Sequence, residues 1–152
     1  WATNELATHL IHTLLQKQYD FVTLLIGVNN QYRGLSITEF DQEFTFLLLK
    51  ALQYNGHQNS RVFVLSIPDW AHTPFAQNKA QETGLHLTEI SAQIDAFNDV
   101  IKKRCEDMEI ELINITDLTR NCAPEMIAQD GLHYSANMHQ LWANLLLQKF
   151  EL

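Results

Sequence analysis

Glycine and proline are scarce in this sequence, at five and three among 152 residues, and cysteine is scarcer still at two. With so few, the chain holds no low-complexity segment and no flexible linker. Cys105 and Cys122 lie 17 positions apart. That is neither a Cys-x-x-Cys pair nor a disulfide framework, and it leaves one bridge or two buried thiols equally open. Positive charge is short as well: ten Lys and Arg against 18 Asp and Glu give a net charge of −8. Nucleic-acid partners need a clustered basic surface, so this balance argues against them. The densest basic group, Lys102-Lys103-Arg104, reads as the end of a helix, where cations complement the macrodipole. No apolar run approaches the ~18 residues of a membrane span. Trp1-Ala2-Thr3-Asn4 has neither the charged region nor the apolar core of a signal peptide, and localisation stays open between cytoplasm and export. No Gly-rich phosphate loop follows any apolar run, which ranks a flavodoxin-like nucleotide binder low.

What is present is an ordinary globular composition, 46% hydrophobic and 18% charged. The length suits one domain over 1–152 with a single core. The pattern predicts a helix over 3–18 with Thr3 as N-cap and Leu6, Leu10 and Leu14 along one stripe. On it His9 and His12 lie three apart, but two imidazoles without a third ligand make a weak metal site, and none is assigned. The run Phe21–Ile26 is apolar throughout, as in a parallel strand covered on both faces. It ends at the polar loop Gly27-Val28-Asn29-Asn30-Gln31-Tyr32-Arg33-Gly34. Ser36-Ile37-Thr38-Glu39 is a capping box that opens a helix through about Tyr54, with Phe40, Phe44, Leu47, Leu48 and Ala51 inward. Asn55-Gly56 ends it.

A second buried strand, Arg61–Ile67, stops at Pro68, and residues 76–84 read as irregular. A long helix follows from Leu87 to about Glu106, buried along Ile90, Ile94, Phe97 and Ile101. Glu109–Ile115 is a third strand, nearer a sheet edge. A loop of roughly twenty residues then leads to Asp130, a length that is often functional. Ser135 caps a last helix bearing Met138 and Trp142. Strands alternating with helices mean an α/β fold, a parallel sheet between helical layers.

Ligands in such folds bind at the carboxyl ends of strands. Two loops fall there. The first offers Asn29, whose amide donates to an alkoxide that develops only in a transition state, with Asn30 and Tyr32 beside it as substrate contacts. A plain turn also uses Gly and Asn, since both tolerate positive φ. The second carries Trp70 and Phe75, which line an apolar cleft or cover the core. Near the C-terminus, Asp130-Gly131-Leu132-His133 sets a carboxylate three residues before an imidazole. The carboxylate reaches one ring nitrogen and leaves the other outward as a general base. The alternative makes Asp130 a turn residue and His133 part of a helix entry.

Together these stretches resemble a known family. Gly27-Val28-Asn29-Asn30 resembles the third sequence block of the SGNH (GDSL-type) hydrolases, whose Asn is an oxyanion donor. Asp130-Gly131-Leu132-His133 resembles their fifth block, Asp-x-x-His, which completes a Ser-His-Asp triad. Leu24–Gly34 and Leu65-Ser66-Ile67-Pro68-Asp69 are similar to bacterial lysophospholipase-like esterases of this family. The resemblance spans almost the whole chain. It implies a three-layer α/β/α flavodoxin-like sheet and hydrolysis of a small acyl-ester or lipid-like substrate, without metal or cofactor. Asp130, His133 and Asn29 would be catalytic; Asn30, Tyr32 and Trp70 would bind substrate.

The sequence also departs from the family. Its first block, Gly-Asp-Ser, does not occur, nor does the second-block glycine, and Asn30 stands where many members have Asp. The five serines are Ser36, Ser60, Ser66, Ser91 and Ser135. None has the strand, tight turn and helix that expose a nucleophilic hydroxyl. The resemblance therefore implies the C-terminal part of a hydrolase domain whose first βαβ portion and serine lie outside this chain, so that the chain alone is inactive. In the family's 2-1-3-4-5 order, Phe21–Ile26 would then be an edge needing cover from that N-terminal segment or from another chain. The competing reading is a non-catalytic SGNH-like binding module.

Overall fold

The computed structural model describes residues 1–15 and 18–150. Its elements in chain order are α1 (Thr3–His12), β1 (Val22–Leu24), α2 (Val28–Tyr32), α3 (Ile37–Tyr54), β2 (Val62–Leu65), α4 (Pro74–Thr83), α5 (Leu87–Asp107), β3 (Glu111–Ile113), α6 (Thr116–Arg120) and α7 (Ala136–Leu147). The strands form a parallel sheet in the order β1-β2-β3, with Val22 opposite Val62 and Phe63 opposite Glu111. Sequential order with helical crossovers is an α/β fold, and it fits the last three strands of a 2-1-3-4-5 flavodoxin-like sheet. Among the described residues no helix is long and apolar enough to cross a membrane.

The chain divides into two compact units, one of residues 1–67 and 96–113, the other of 68–95 and the chain from Asn114 onward. The first holds the sheet. Its centre is β2, buried at every position, and α3, whose Phe40, Phe44, Leu47 and Leu48 are buried as their spacing predicts. Phe40 meets Phe97 of α5 with ring centroids 4.7 Å apart. Each such ring withdrawn from water contributes roughly 2–3 kcal/mol. Arg104 of α5 grips Asp41 of α3 through two bonds of 2.6 and 2.7 Å, which hold that carboxyl below its ordinary range. Ser36 caps α3 as expected, accepting the Glu39 amide, and Asn55 and Gly56 end it.

The predicted first helix is shortened and its cap displaced. Ala2 is the N-cap, its N–H donating to Glu5 at 2.7 Å, and Thr3 is a buried helical residue. The Thr3 hydroxyl donates to Glu43, and its N–H to Asn30 Oδ1 at 3.0 Å, so tertiary bonds replace the local cap. The helix stops at His12 because Thr13 turns extended and its hydroxyl takes the His9 carbonyl at 2.7 Å. Leu14 is consequently exposed. Of the predicted remainder, Gln16 and Lys17 lie outside the described residues. The strand Phe21–Ile26 is likewise shorter than its apolar run: only Val22–Leu24 is paired, Thr23 is exposed and Leu25 is 42% exposed. The described β1 has β2 on one side and is an edge. An open groove of about 300 Å³ runs beside it, lined mainly by Leu6, Leu10, Leu15, Phe21, Leu24 and Tyr54.

In the second unit the stretch 76–84 is not irregular. Pro74–Thr83 is a helix, with Thr73 capping the Ala76 amide, Pro74 in the first turn and Gly84 closing it in the left-handed region. Its face is too polar to show a periodic stripe, but the Thr-Pro start is a helix signal in itself. The long approach to Asp130 also contains order. Asn114 accepts the Thr116 amide at 3.0 Å and opens α6, and a 3-10 turn covers Pro124–Met126. Met138 and Trp142 are the buried residues of α7; Leu141 is 40% exposed. Cys105 is buried in the first unit, Cys122 half-buried in the second, and both thiols are free.

Candidate active site

Asp130 sits on the turn that ends the approach to α7. Gly131 follows with φ 72°, a backbone that side-chain-bearing residues seldom adopt. This reverses the chain over Asp130, whose Oδ1 accepts the amides of Leu132 and His133, both at 2.9 Å. Oδ2 then lies 2.6 Å from His133 Nδ1. The carboxylate is thus both the turn residue and the imidazole's partner, so the two sequence readings of it describe different oxygens. The His133 bond and the two amides lower the Asp130 carboxyl to about 2. An ionised carboxylate only accepts, so Nδ1 carries the proton and Nε2 of the neutral ring presents a lone pair. The His133 side chain is 76% exposed. An exposed pair of this kind adds little to stability. What it does supply is an oriented imidazole with its ring exposed.

The turn is tied down on several sides. Ala128 donates to the His133 carbonyl at 2.7 Å, Ser135 to that of Met126 at 2.8 Å, and Phe75 to that of Gly131 at 2.9 Å. Ile127 and Tyr134 form an antiparallel bridge. The Tyr134 hydroxyl donates to the Asp69 carbonyl at 3.0 Å. Asp69 has no exposed surface, and its carboxylate accepts Arg120 Nε at 2.8 Å and the Ala71 amide at 3.1 Å. Hydropathy gave no signal for Tyr134, Asp69 or Arg120, since their links are 51 and 65 residues long.

Asn29, Asn30 and Tyr32 belong to the first unit, Trp70, Asp130 and His133 to the second. The predicted polar loop after β1 is the short helix α2, entered through Gly27 at φ 126°. A β-carbon there would stand 2.7 Å from Ile67 Cδ1 and 2.9 Å from Phe40 Cε2, so glycine is required twice over. Asn29 is partly exposed, and its Nδ2 donates to the Trp1 carbonyl at 3.2 Å. Asn30 is 1% exposed, its amide bonded to Thr3 at 2.6 Å. That makes it a structural link between α2 and α1. Trp70 is 6% exposed and belongs to the core of its unit, the commoner fate of a loop aromatic. Tyr32 is 46% exposed. Among the serines, Ser66 is 3% exposed, Ser36 caps α3, and Ser135 donates to the Glu125 carbonyl at 2.8 Å.

The family model of the GDSL-like lipase/acylhydrolases matches residues 1–141. No curated protein matches the sequence. Among solved structures, the acetylxylan esterase Axe2 of Geobacillus stearothermophilus superposes with a TM-score of 0.72 at 14% identity, covering 100% of this chain and 68% of its own. The lipase/acylhydrolase of Enterococcus faecalis gives 0.71 at 16%, over 98% of this chain and 70% of that one. LAE5, an α/β hydrolase from the Lake Arreo metagenome, gives 0.71 at 16%, over 98% and 67%. Two further Axe2 structures are catalytic mutants, in which alanine replaces an aspartate and a histidine three positions after it.

Proposed function

The chain belongs to the GDSL-like lipase/acylhydrolase family, and from that premise we propose that it supplies the acid–base half of a carboxylic-ester hydrolase. The observation that carries this is the 2.6 Å pairing of Asp130 Oδ2 with His133 Nδ1, with Oδ1 held by two amides. In this reading His133 Nε2 removes the proton of a serine hydroxyl as it attacks the ester carbonyl, then returns it to the leaving alcohol. Asp130 fixes the tautomer and steadies the imidazolium. Asn29 donates its amide to the oxygen that becomes anionic in the tetrahedral intermediate, exchanging the Trp1 carbonyl for it. Tyr32, the exposed aromatic on the Asn29 helix, contacts the substrate. The Asp-x-x-His spacing shared with the Axe2 mutants supports the assignment, and a small acyl ester, such as the acetyl ester in that enzyme's name, is the substrate class to try first.

The nucleophile in this reading is a serine outside the 152 residues: Ser66 is buried, Ser36 and Ser135 stand at helix starts, Ser91 lies within α5, and exposed Ser60 sits on a 3-10 turn before β2, so none occupies a strand-turn-helix elbow. A further βαβ portion carrying it would pair with the β1 edge and cover the apolar groove beside it. These 152 residues alone would then leave ester intact. The experiment treats the full gene product and its His133→Ala variant with a fluorophosphonate probe. Labelling of the wild type that disappears in the variant supports a His-activated serine. Equal absence of labelling in both favours a non-catalytic binding module.

A further inference from the structure

We propose that Tyr134 is a positioning residue for His133, acting through the hydrogen bond from its hydroxyl to the main-chain carbonyl of Asp69. The inference rests on His133 being the base of the proposed reaction, but it is carried by different bonds. The side-chain contact that orients the exposed imidazole, Asp130, stands on the same turn. If the turn rotates, both rotate with it, so the pair cannot by itself fix where Nε2 points.

Tyr134 supplies an outside reference. It follows His133 directly and forms the antiparallel bridge with Ile127. The two neighbours occupy opposite environments, Tyr134 half-buried and the His133 side chain 76% exposed. With the phenol directed inward, the imidazole is directed outward, and the two directions are coupled through one peptide unit. The inward direction is secured twice. The ring lies 5.4 Å from that of Trp142, a buried residue of α7. The hydroxyl donates to the Asp69 carbonyl at 3.0 Å. That acceptor is itself held on several sides: Asp69 is fully buried, its carboxylate is bonded by Arg120 and Ala71, and its N–H donates to Thr119 Oγ1 at 2.9 Å. Burial also raises the Tyr134 hydroxyl well above the usual phenol range, so it stays protonated and able to donate at any working pH.

Packing of the tilted rings alone lets the phenol slide along Trp142, whereas the hydrogen bond fixes its distance from Asp69. Removing the hydroxyl and keeping the ring should therefore loosen the orientation of His133 while leaving the fold in place. Misplacement of a reacting group by about 1 Å costs up to about 100-fold in rate.

The test uses Tyr134→Phe in the full gene product, with Trp142→Phe as the comparison that disturbs packing but spares the hydroxyl. The first readout is the His133 Nδ1 proton in the NMR spectrum, which reports the Asp130 bond whether or not the protein turns over ester. Tyr134→Phe should broaden or abolish this resonance, and Trp142→Phe should retain it. The second readout is steady-state hydrolysis of an acetyl ester, where Tyr134→Phe should lower kcat about 10- to 100-fold at unchanged KM. An Nδ1 resonance as sharp in Tyr134→Phe as in wild type, or a kcat within about twofold, would overturn the proposal. Absence of turnover by the wild type contradicts the esterase reading instead, and the NMR comparison then still decides the role of Tyr134.

Discussion

His133 Nδ1 lies 2.6 Å from Asp130 Oδ2, on a turn that the same carboxylate builds through its other oxygen. Both contacts favour the ionised form, which is why this carboxyl falls to about 2 from an ordinary 3.8. A depressed folded value means that the turn's contribution is complete above about 4 and is lost as the pH falls through about 2. The Asp130 side-chain carboxyl carbon, followed by NMR, should titrate near 2 in the folded protein. Titration near 4 would show that the pair is not formed in solution.

Asp130→Asn retains one acceptor oxygen for the turn amides but offers the imidazole a neutral partner. The expected outcome is a loss of kcat of roughly 10²- to 10⁴-fold with little change in melting temperature, since a solvent-screened pair contributes little to stability. Activity assays beside thermal denaturation separate the two effects.

Gly27→Ala should be far more damaging to the fold than a surface glycine substitution. The new β-carbon meets Ile67 at 2.7 Å on a backbone at φ 126°. Strain and overpacking together predict a loss of about 3 kcal/mol or more, measured by urea denaturation. A loss below about 1 kcal/mol would mean that α2 can be entered another way.

Arg120→Ala leaves the carboxylate of Asp69 without its main cation and with no surface exposed to water. Breaking such a pair from one side costs about 3 kcal/mol. Adding Asp69→Asn removes the stranded charge, so the double variant should lose less than the sum of the single losses. Strict additivity in urea midpoints would show that the two side chains are not coupled.

Both thiols should titrate with a chromogenic disulfide, at very different rates. Cys105 is 1% exposed and its thiol is pushed up to about 12, chiefly by burial, so it should react only as the protein unfolds. Half-buried Cys122 should react first.

The parts of this molecule that were legible in its sequence are those fixed by local patterning. Ser36 with Glu39, the Phe40–Ala51 stripe, the Asn55-Gly56 stop and the Ile90–Ile101 stripe each occur where their spacing places them. Strand order followed from the family resemblance. Local chemistry also placed Asp130 against His133, because three residues and one positive-φ glycine bring them together. What escaped was set by distant partners. Thr3 has the side chain of a cap, but its hydroxyl donates to Glu43 on another helix. Pro74–Thr83 is a polar helix with no apolar stripe to mark it. The burial of Asn30 and Trp70 is likewise set by residues far away in sequence.

Hydrolysis of an activated acetyl ester tests most directly whether His133 is the base of a serine esterase. The full gene product should turn over, and His133→Ala should reduce kcat by about 10⁴-fold or more at preserved folding. A variant that keeps within about tenfold of wild-type kcat would contradict it.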